Sequence, residues 1–189
     1  MYAVFLNHMD SNVQCLRIIR KSSLLEIETY FKESAARDKD KLNWYLGEIL
    51  DKSILLKLHI WPDNNTLENL LIHYSWRTAN IKGKFVDVQR INKMQYLIQQ
   101  YGDDQSIIDY SRYMNPITIR SIVSKDEEES KINRQDFSFW LEDGLHRSIA
   151  LGDLLYANKI EFIPIFTYYG TATILENGRI YNFNELTYP

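Results

Sequence analysis

The chain has 189 residues, of which 45% are hydrophobic and 25% are charged, and its formal net charge is −3. Because 13% of the residues are aromatic and only 7 are glycine and 4 proline, the composition excludes a largely disordered or low-complexity chain. The small negative charge argues against a protein whose main activity is to grip bare duplex DNA through a broad basic face.

The N-terminus and the single cysteine bear on the compartment. The opening stretch from Met1 to Leu6 is apolar, but no basic region precedes it and polar residues follow it at once. It therefore reads as neither a signal peptide nor a membrane span. Cys15 has no second cysteine with which to form a disulfide. These features predict a cytoplasmic protein without a membrane partner, and they leave its oligomeric state open.

Two strands and a helix are predicted first. Residues 2–6 and 13–20 are rich in apolar and β-branched side chains, which favours strands. A helix is predicted to follow from Ser22 or Ser23. Glu26 is predicted to act as the reciprocal acid of its capping box.

Two further helices are predicted before residue 80. From Lys41 to Leu58 the apolar side chains recur at every third or fourth position, which predicts an amphipathic helix. Thr66 is predicted to cap another helix that runs to His73. Residues 1–80 are therefore interpreted as a mostly helical N-terminal subdomain of unknown role.

The remaining residues, 81–189, predict alternating strands and helices. Residues 81–91 alternate as in a strand, and 92–101 are expected to form a helix. The β-branched stretch 116–123 predicts a strand. A strand at 137–141 then leads into a helix at 145–157.

Two elements are predicted at the C-terminal end. A strand is expected at 160–168. Asn177-Gly178 separates 171–175 from 179–183, which predicts a C-terminal β-hairpin. The fold class expected from this mixture is α+β, with 81–189 as one domain.

One strand-turn-helix segment predicts an anion site. An apolar strand ends at Glu142 and Asp143, Gly144 permits a tight turn with positive φ, and a helix begins at once. The first N–H groups of a helix have no partner inside it, and the positive end of the helix dipole attracts an anion. Arg147 and Ser148 lie in the first turn, where they are predicted to donate hydrogen bonds to phosphate oxygens.

His146 and the two acids complete this predicted site. An imidazole at the helix start is expected to contact the phosphate or to move a proton near neutral pH. Asp143 and Glu142 are expected to reach a metal ion chelated by that phosphate, or to orient the basic side chains. In the alternative interpretation Asp143 is only a helix N-cap, and His146 and Arg147 are surface residues.

Several stretches, in this order along the chain, resemble the ParB/sulfiredoxin superfamily. Residues 143–147 (Asp-Gly-Leu-His-Arg) match the family's Asp-Gly-X-His-Arg form, and 114–120 (Met-Asn-Pro-Ile-Thr-Ile-Arg) are similar to its Leu-Gln-Pro-Ile-X-Val-Arg pattern. Residues 163–165 (Ile-Pro-Ile) stand where the family has Ile-Pro-Val. The stretch 85–91 is placed as the opening strand of the family, whose polar end faces the ligand. The resemblance covers roughly residues 81–168.

The resemblance implies a small mixed sheet with helices that binds ATP or CTP together with Mg²⁺. On this basis Asp87 and Gln89-Arg90 would face the ligand. The site residues that we assign from the turn and the resemblance are Asp143, His146 and Arg147 for catalysis, Gly144, Ser148, Asn115, Pro116 and Arg120 for the nucleotide, and Glu142 and Asp143 for the metal.

The chain departs from two branches of that superfamily. Leu145 stands where sulfiredoxins carry their cysteine, so repair of sulfinic acid is not predicted. The second arginine of the partition proteins and an evident helix-turn-helix domain are also missing from the sequence. A clamp for chromosome segregation is therefore not predicted either.

Three functions of different classes remain. The first is a Mg²⁺-dependent phosphotransferase or nucleotide hydrolase that acts on a nucleotide or a phosphorylated small molecule. The second is a nuclease-type module, or one that clamps the phosphate backbone of DNA, for which a steep salt dependence would be the sign. The third is a protein-interaction factor in which the site is vestigial. Selective stabilisation by nucleotides would favour the first.

Overall fold

Eight strands of the chain form one mixed sheet. The structure is a computed structural model and describes residues 12–28, 41–60, 65–72, 75–78, 80–81, 84–100, 116–121 and 139–187. In chain order the elements are β1 (Gln14–Lys21), α1 (Leu24–Glu28), β2 (Asn43–Ile49), α2 (Lys52–Leu56), β3 (His59–Ile60), β4 (Asn65–Thr66), α3 (Leu67–Ile72), a 3-10 helix (Ser75–Arg77), β5 (Asn80–Ile81), β6 (Lys84–Phe85), α4 (Val88–Gln100), β7 (Ile117–Arg120), β8 (Trp140–Asp143), α5 (Leu145–Tyr156), β9 (Ile165–Thr171), β10 (Ile180–Asn182) and α6 (Phe183–Thr187).

The order of the strands is β10-β1-β2-β9-β7-β8-β3-β4. β7 runs parallel to β9 and β3 runs parallel to β8, whereas the other neighbours are antiparallel. β5 and β6 form a separate two-stranded hairpin. The predicted α+β class is confirmed. Strands from both sides of residue 80 pair with one another, because β1 and β2 lie between β10 and β9.

The two faces of the sheet are covered by different helices. Neighbouring residues of a strand point to opposite faces. Tyr45 and Tyr169 belong to the main hydrophobic core, whereas the adjacent Trp44 and Tyr168 belong to a smaller cluster together with Ile27 of α1. On the main face, α5 packs against α2, α3 and α4. The helix that follows the glycine turn is therefore the central helix of that layer.

Several local predictions are confirmed. β1, β7 and α5 lie where the sequence predicts them. The hydroxyl of Ser23 accepts a hydrogen bond from the N–H of Glu26 at 3.2 Å, and the hydroxyl of Thr66 accepts one from the N–H of Asn69 at 3.2 Å, so both predicted caps are present. The strand predicted at 2–6 lies outside the described residues. No helix in the described part of the chain is long and apolar enough to cross a membrane.

The helix predicted over 41–58 is wrong, and the described residues before 80 contribute four strands to the sheet, β1 to β4. This segment forms β2 and the short helix α2, which Asp51 caps by accepting the N–H of Ser53 at 2.7 Å. β2 is hydrogen-bonded to β1 on one side and to β9 on the other. Because a central strand is covered on both faces, its apolar residues do not alternate. Here they fell by coincidence on a helical spacing.

The strand predicted over 81–91 is also wrong in its second half. Only Lys84 and Phe85 are in β6, and α4 begins at Val88. The carboxylate of Asp87 accepts a hydrogen bond from the N–H of Arg90 at 2.9 Å, which is the contact of a helix N-cap. Alternation over a few residues before that cap was too short to decide between strand and helix.

The C-terminal hairpin is the third correction. Gly178 does adopt the positive φ of a turn, at 81°. However, β10 pairs with β1 instead of with the end of β9. Two tyrosine hydroxyls hold the crossing segment, because Tyr45 accepts the N–H of Leu175 at 2.9 Å and Tyr181 accepts the N–H of Glu176 at 2.7 Å. Tyr45 and the partner strand β1 are both distant in sequence, so the turn dipeptide alone did not reveal the pairing.

Glu26 was predicted to be a capping acid, but its carboxylate joins α1 to two strands. Arg20 donates to it from both terminal nitrogens at 3.0 and 2.6 Å, and the hydroxyl of Tyr168 donates at 2.9 Å. The hydrogen bonds from Arg20, helped by the one from Tyr168, lower the pKa of Glu26 to about 2. The three side chains thus fix α1 on the smaller cluster.

Replacing Glu26 with glutamine is expected to lower the free energy of unfolding by about 1 kcal/mol at neutral pH. The effect is no larger because 48% of the Arg20 side chain is exposed and solvent screens the pair. Since the folded pKa lies below the ordinary value of 4.5, this stabilisation is complete above 4.5 and is lost as the pH falls toward 2. Urea unfolding of both proteins from neutral to acid pH measures it, and a difference that does not shrink in acid would contradict it.

Candidate functional site

Helix α5 begins at a glycine in the left-handed conformation. Gly144 has φ 98° and ψ 22°, and it offers no side chain to cap the helix. The N–H of Ser148 donates to the carbonyl of Gly144 at 2.9 Å, so the N–H groups of the three residues between them have no acceptor within the helix. A Cβ on this glycine would lie 2.7 Å from Cγ2 of Ile117. The strand therefore turns into the helix at the position that the sequence predicts.

Helix α4 starts beside α5. The N–H of Asp87, the residue that caps α4, donates to Nε2 of His146 at 3.1 Å. Farther along, Nε2 of Gln95 donates to Oδ2 of Asp153 at 2.7 Å. Because position 87 meets 146 and position 95 meets 153, the two helices run parallel. The positive ends of both helix dipoles therefore lie side by side, and this arrangement is called the paired helix starts below.

Arg147 ties the glycine turn to the neighbouring strands. Only 12% of its side chain is exposed. Nη1 donates to the carbonyl of Pro116 at 3.2 Å, and Nη2 donates to Oδ2 of Asp143 at 2.9 Å. Burial lowers the pKa of Arg147, against the charge of Asp143, which raises it. The guanidinium therefore has a structural role at the turn, and it also places a positive charge at the start of α5.

His146 is held as a hydrogen-bond acceptor. Because Nε2 accepts the N–H of Asp87, it carries no proton, and the proton of the neutral ring is on Nδ1. Burial, followed by the charge of Arg90, lowers the pKa of His146 below its ordinary value. The imidazole is therefore neutral near pH 7. Its Nε2 atom is engaged by α4, so a contact with a ligand falls to Nδ1.

Three other predicted site residues are buried or partly buried. Ser148 is fully buried, and its hydroxyl has no hydrogen-bond partner within the part of the chain that the structure describes. Glu142 accepts a hydrogen bond from Nε of Arg120, with 10% and 14% of these side chains exposed. The guanidinium of Arg120 also lies 5.1 Å from the ring centre of Trp140. The ligand roles predicted for Ser148, Arg120 and Glu142 would require these groups to become accessible.

The remaining predictions concern the nucleotide and the metal. Asn115 lies outside the described residues, and Pro116 contributes a carbonyl to Arg147. Asp143 is the more accessible of the two predicted metal ligands, with 40% of its side chain exposed. Over the described ranges, no group of three or more His, Cys, Asp and Glu side chains is placed to hold a metal ion.

Sequence reasoning placed Asp87 and Arg90 near the ligand but on the wrong element. The prediction that they face a ligand stays a prediction, but the strand assigned to them is wrong, because both lie at the start of α4. An aspartate three residues before an arginine at the head of an apolar helical pattern was the available signal. Comparison of the chain with protein-family models, with curated proteins and with solved structures found no match.

Proposed function

We propose that the paired helix starts bind a phosphate group of a nucleotide, ATP or CTP, in a ParB/sulfiredoxin-like arrangement. The observation that carries the proposal is the start of α5, where a left-handed glycine leaves the first N–H groups without a side-chain cap. A parallel helix start lies next to it, which adds a second dipole of the same sign. Helix starts of this kind attract anions.

Two arginines add positive charge to the same place. The charge of Arg90 lowers the pKa of both His146 and Arg147, which reflects its closeness to the start of α5. Asp87 and Asp143 offset part of this charge. However, Oδ1 of Asp87 already accepts the hydrogen bond that caps α4, and Oδ2 of Asp143 already accepts one from Arg147. Arg90 is exposed, and it is the cation that we expect to meet a phosphate arriving from solvent.

The reaction class that we propose is Mg²⁺-dependent hydrolysis of the nucleotide or transfer of its phosphoryl group. The chain would offer Mg²⁺ the carboxylate of Asp143, and the ion would offset the charge of the phosphates when bound. Arg147 holds that carboxylate in place from one turn farther along α5. The geometry supports binding more directly than turnover, so the first experiment measures binding.

Calorimetric titration with ATP, CTP and GTP, with and without Mg²⁺, is expected to detect binding of at least one nucleotide. Replacing Arg90 with alanine should weaken that binding about tenfold, the loss of about 1.4 kcal/mol expected for one exposed contact between an arginine and a phosphate. Lys93 is a matched control, because it is also exposed and lies one turn farther along α4. Replacing Lys93 with alanine should change the affinity much less.

The titrations also define failure. If neither the nucleotides nor pyrophosphate bind with Mg²⁺ present, the phosphate site does not exist. If the two variants weaken binding equally, the contact is a general attraction to the surface of α4. Binding without release of phosphate or of a phosphorylated product would keep the site and remove the proposed reaction.

A further inference from the structure

The side chain of His146, in the first turn of α5, contacts the cap of α4. Nε2 of His146 accepts the N–H of Asp87 at 3.1 Å, and Asp87 is the residue whose carboxylate caps α4. We propose that His146 is a pH-sensitive latch, in which the neutral imidazole holds the cap residue of α4, Asp87, against α5 and the protonated imidazole releases it. The latch goes beyond the proposed function and does not depend on it.

Protonation changes the contact from attractive to repulsive. In the neutral ring Nε2 is an acceptor, but in the cation both ring nitrogens are donors. The protonated Nε2 would therefore present an N–H to the N–H of Asp87. Because Asp87 is exposed, its N–H can turn to water instead, so releasing it does not require the chain to unfold.

Apart from this contact, apolar packing holds the start of α4, because Ile91 in its first turn is fully buried and Val86 just before the cap is buried as well. Of the thirteen residues of α4, Ile91 and Ile98 are the buried ones, and Val88 is partly buried. The polar contact between Gln95 and Asp153 lies two turns away from the cap. Loss of the His146 contact should therefore free the exposed residue Asp87 and leave the packed remainder of α4 in place.

The groups around the imidazole set the pH at which the latch responds. Arg90 and Asp87 face it from the start of α4, and Asp143 and Arg147 face it from β8 and α5. Burial is the largest influence and lowers the pKa of His146. Arg90 and Arg147 lower it further, and the two carboxylates raise it. The positive ends of two helix dipoles also oppose a charged imidazole.

The sign of the pH dependence follows from that balance. The folded pKa of His146 lies below its ordinary value of 6.5, so the fold prefers the neutral ring. The stabilisation is complete above 6.5 and declines as the pH falls through the folded pKa. The cap of α4 is therefore held at neutral pH and is released as the pH falls through the folded pKa of His146.

Amide hydrogen exchange and ¹⁵N spectroscopy of the whole chain test the latch. At neutral pH the imidazole of His146 should show a protonated Nδ1 and an unprotonated Nε2. The protection factor of the Asp87 amide, corrected for the intrinsic effect of pH, should fall about tenfold as the ring titrates to about 90% protonated. The amide of Ile98, in the second half of α4, should keep its protection over the same range.

Two variants separate the latch from general acid loosening. His146→Gln offers an amide oxygen that accepts without titrating, so its Asp87 amide should stay protected throughout the pH range. His146→Phe cannot accept, and its Asp87 amide should exchange fast at every pH. The proposal would be overturned if the protection factor of the wild-type Asp87 amide stayed constant through the titration. It would also be overturned if that protection factor fell equally in His146→Gln. None of these measurements uses a nucleotide, so failure of phosphate binding and failure of the latch are distinguishable.

Discussion

Replacing Gly144 with alanine is expected to lower the free energy of unfolding by about 3 kcal/mol. Two costs add up. A residue with a Cβ is strained in the left-handed region by about 1–2 kcal/mol. The new Cβ would also lie 2.7 Å from Cγ2 and 3.0 Å from Cβ of Ile117, and overpacking of this kind costs about 1–3 kcal/mol. Urea unfolding of the two proteins measures the sum.

Gly178 provides a matched control for the first of these costs. Its φ is also positive, at 81°, but a Cβ there would meet nothing within 4 Å. Gly178→Ala should therefore cost only about 1 kcal/mol. In combination with Ile117→Ala, which removes the clashing atom, Gly144→Ala should cost less than it does alone. If the two glycine variants lose equal stability, the close approach of Ile117 contributes nothing at the turn.

Short sequence motifs correctly predicted those elements whose structure depends on residues close together in the sequence. The cap at Ser23 and the glycine turn into α5 each depend on residues only a few positions apart, and both are where the sequence places them. The strand at 117–120 was recognisable from its β-branched residues, which pack well on a pleated surface. Such signals are readable without knowledge of the rest of the chain.

Distant partners decided the parts that the sequence did not predict. β2 is a strand because β1 and β9 pair with its two edges, and residues 41–58 alone contain a helical spacing that competes with this outcome. In the same way β10 finds β1 across more than 160 residues, although an Asn-Gly turn favours a local hairpin. The sequence pattern of each segment gives no information about its distant partner strands.

The candidate site also has one part that depends on neighbouring residues and another that depends on distant ones. The start of α5 was predictable, because Asp143-Gly144 and the helix that follows are adjacent in sequence. The second helix start was not, since the contact between Asp87 and His146 joins residues 59 positions apart. The resemblance predicted that Asp87 faces a ligand, but it gave no indication that the N–H of Asp87 donates to His146. His146 was predicted to contact a phosphate or to move a proton, and in the structure its Nε2 is the acceptor of that N–H.

Replacing Glu142 with alanine is expected to lower the free energy of unfolding by about 2–3 kcal/mol. The carboxylate accepts the hydrogen bond from Nε of Arg120, and these side chains are only 10% and 14% exposed. Removing the carboxylate takes a charged hydrogen-bond acceptor away from the partly buried guanidinium beside Trp140. Glu48 is the control, because its partner Arg17 is 47% exposed, so Glu48→Ala should cost less than about 1 kcal/mol.

The stability of the Glu142 variants also tests the metal role predicted for this residue. If Glu142 mainly stabilises Arg120, the double variant Arg120→Met with Glu142→Leu should be more stable than Glu142→Ala. The double variant removes the partly buried guanidinium together with the carboxylate. If Glu142 mainly binds a metal, the opposite result is expected. Glu142→Ala should then lose little stability, but the stabilisation that nucleotide gives in the presence of Mg²⁺ should be lost. Glu142 is already paired with Arg120, and Asp143 is the more exposed of the two acids, so we expect the double variant to be the more stable one.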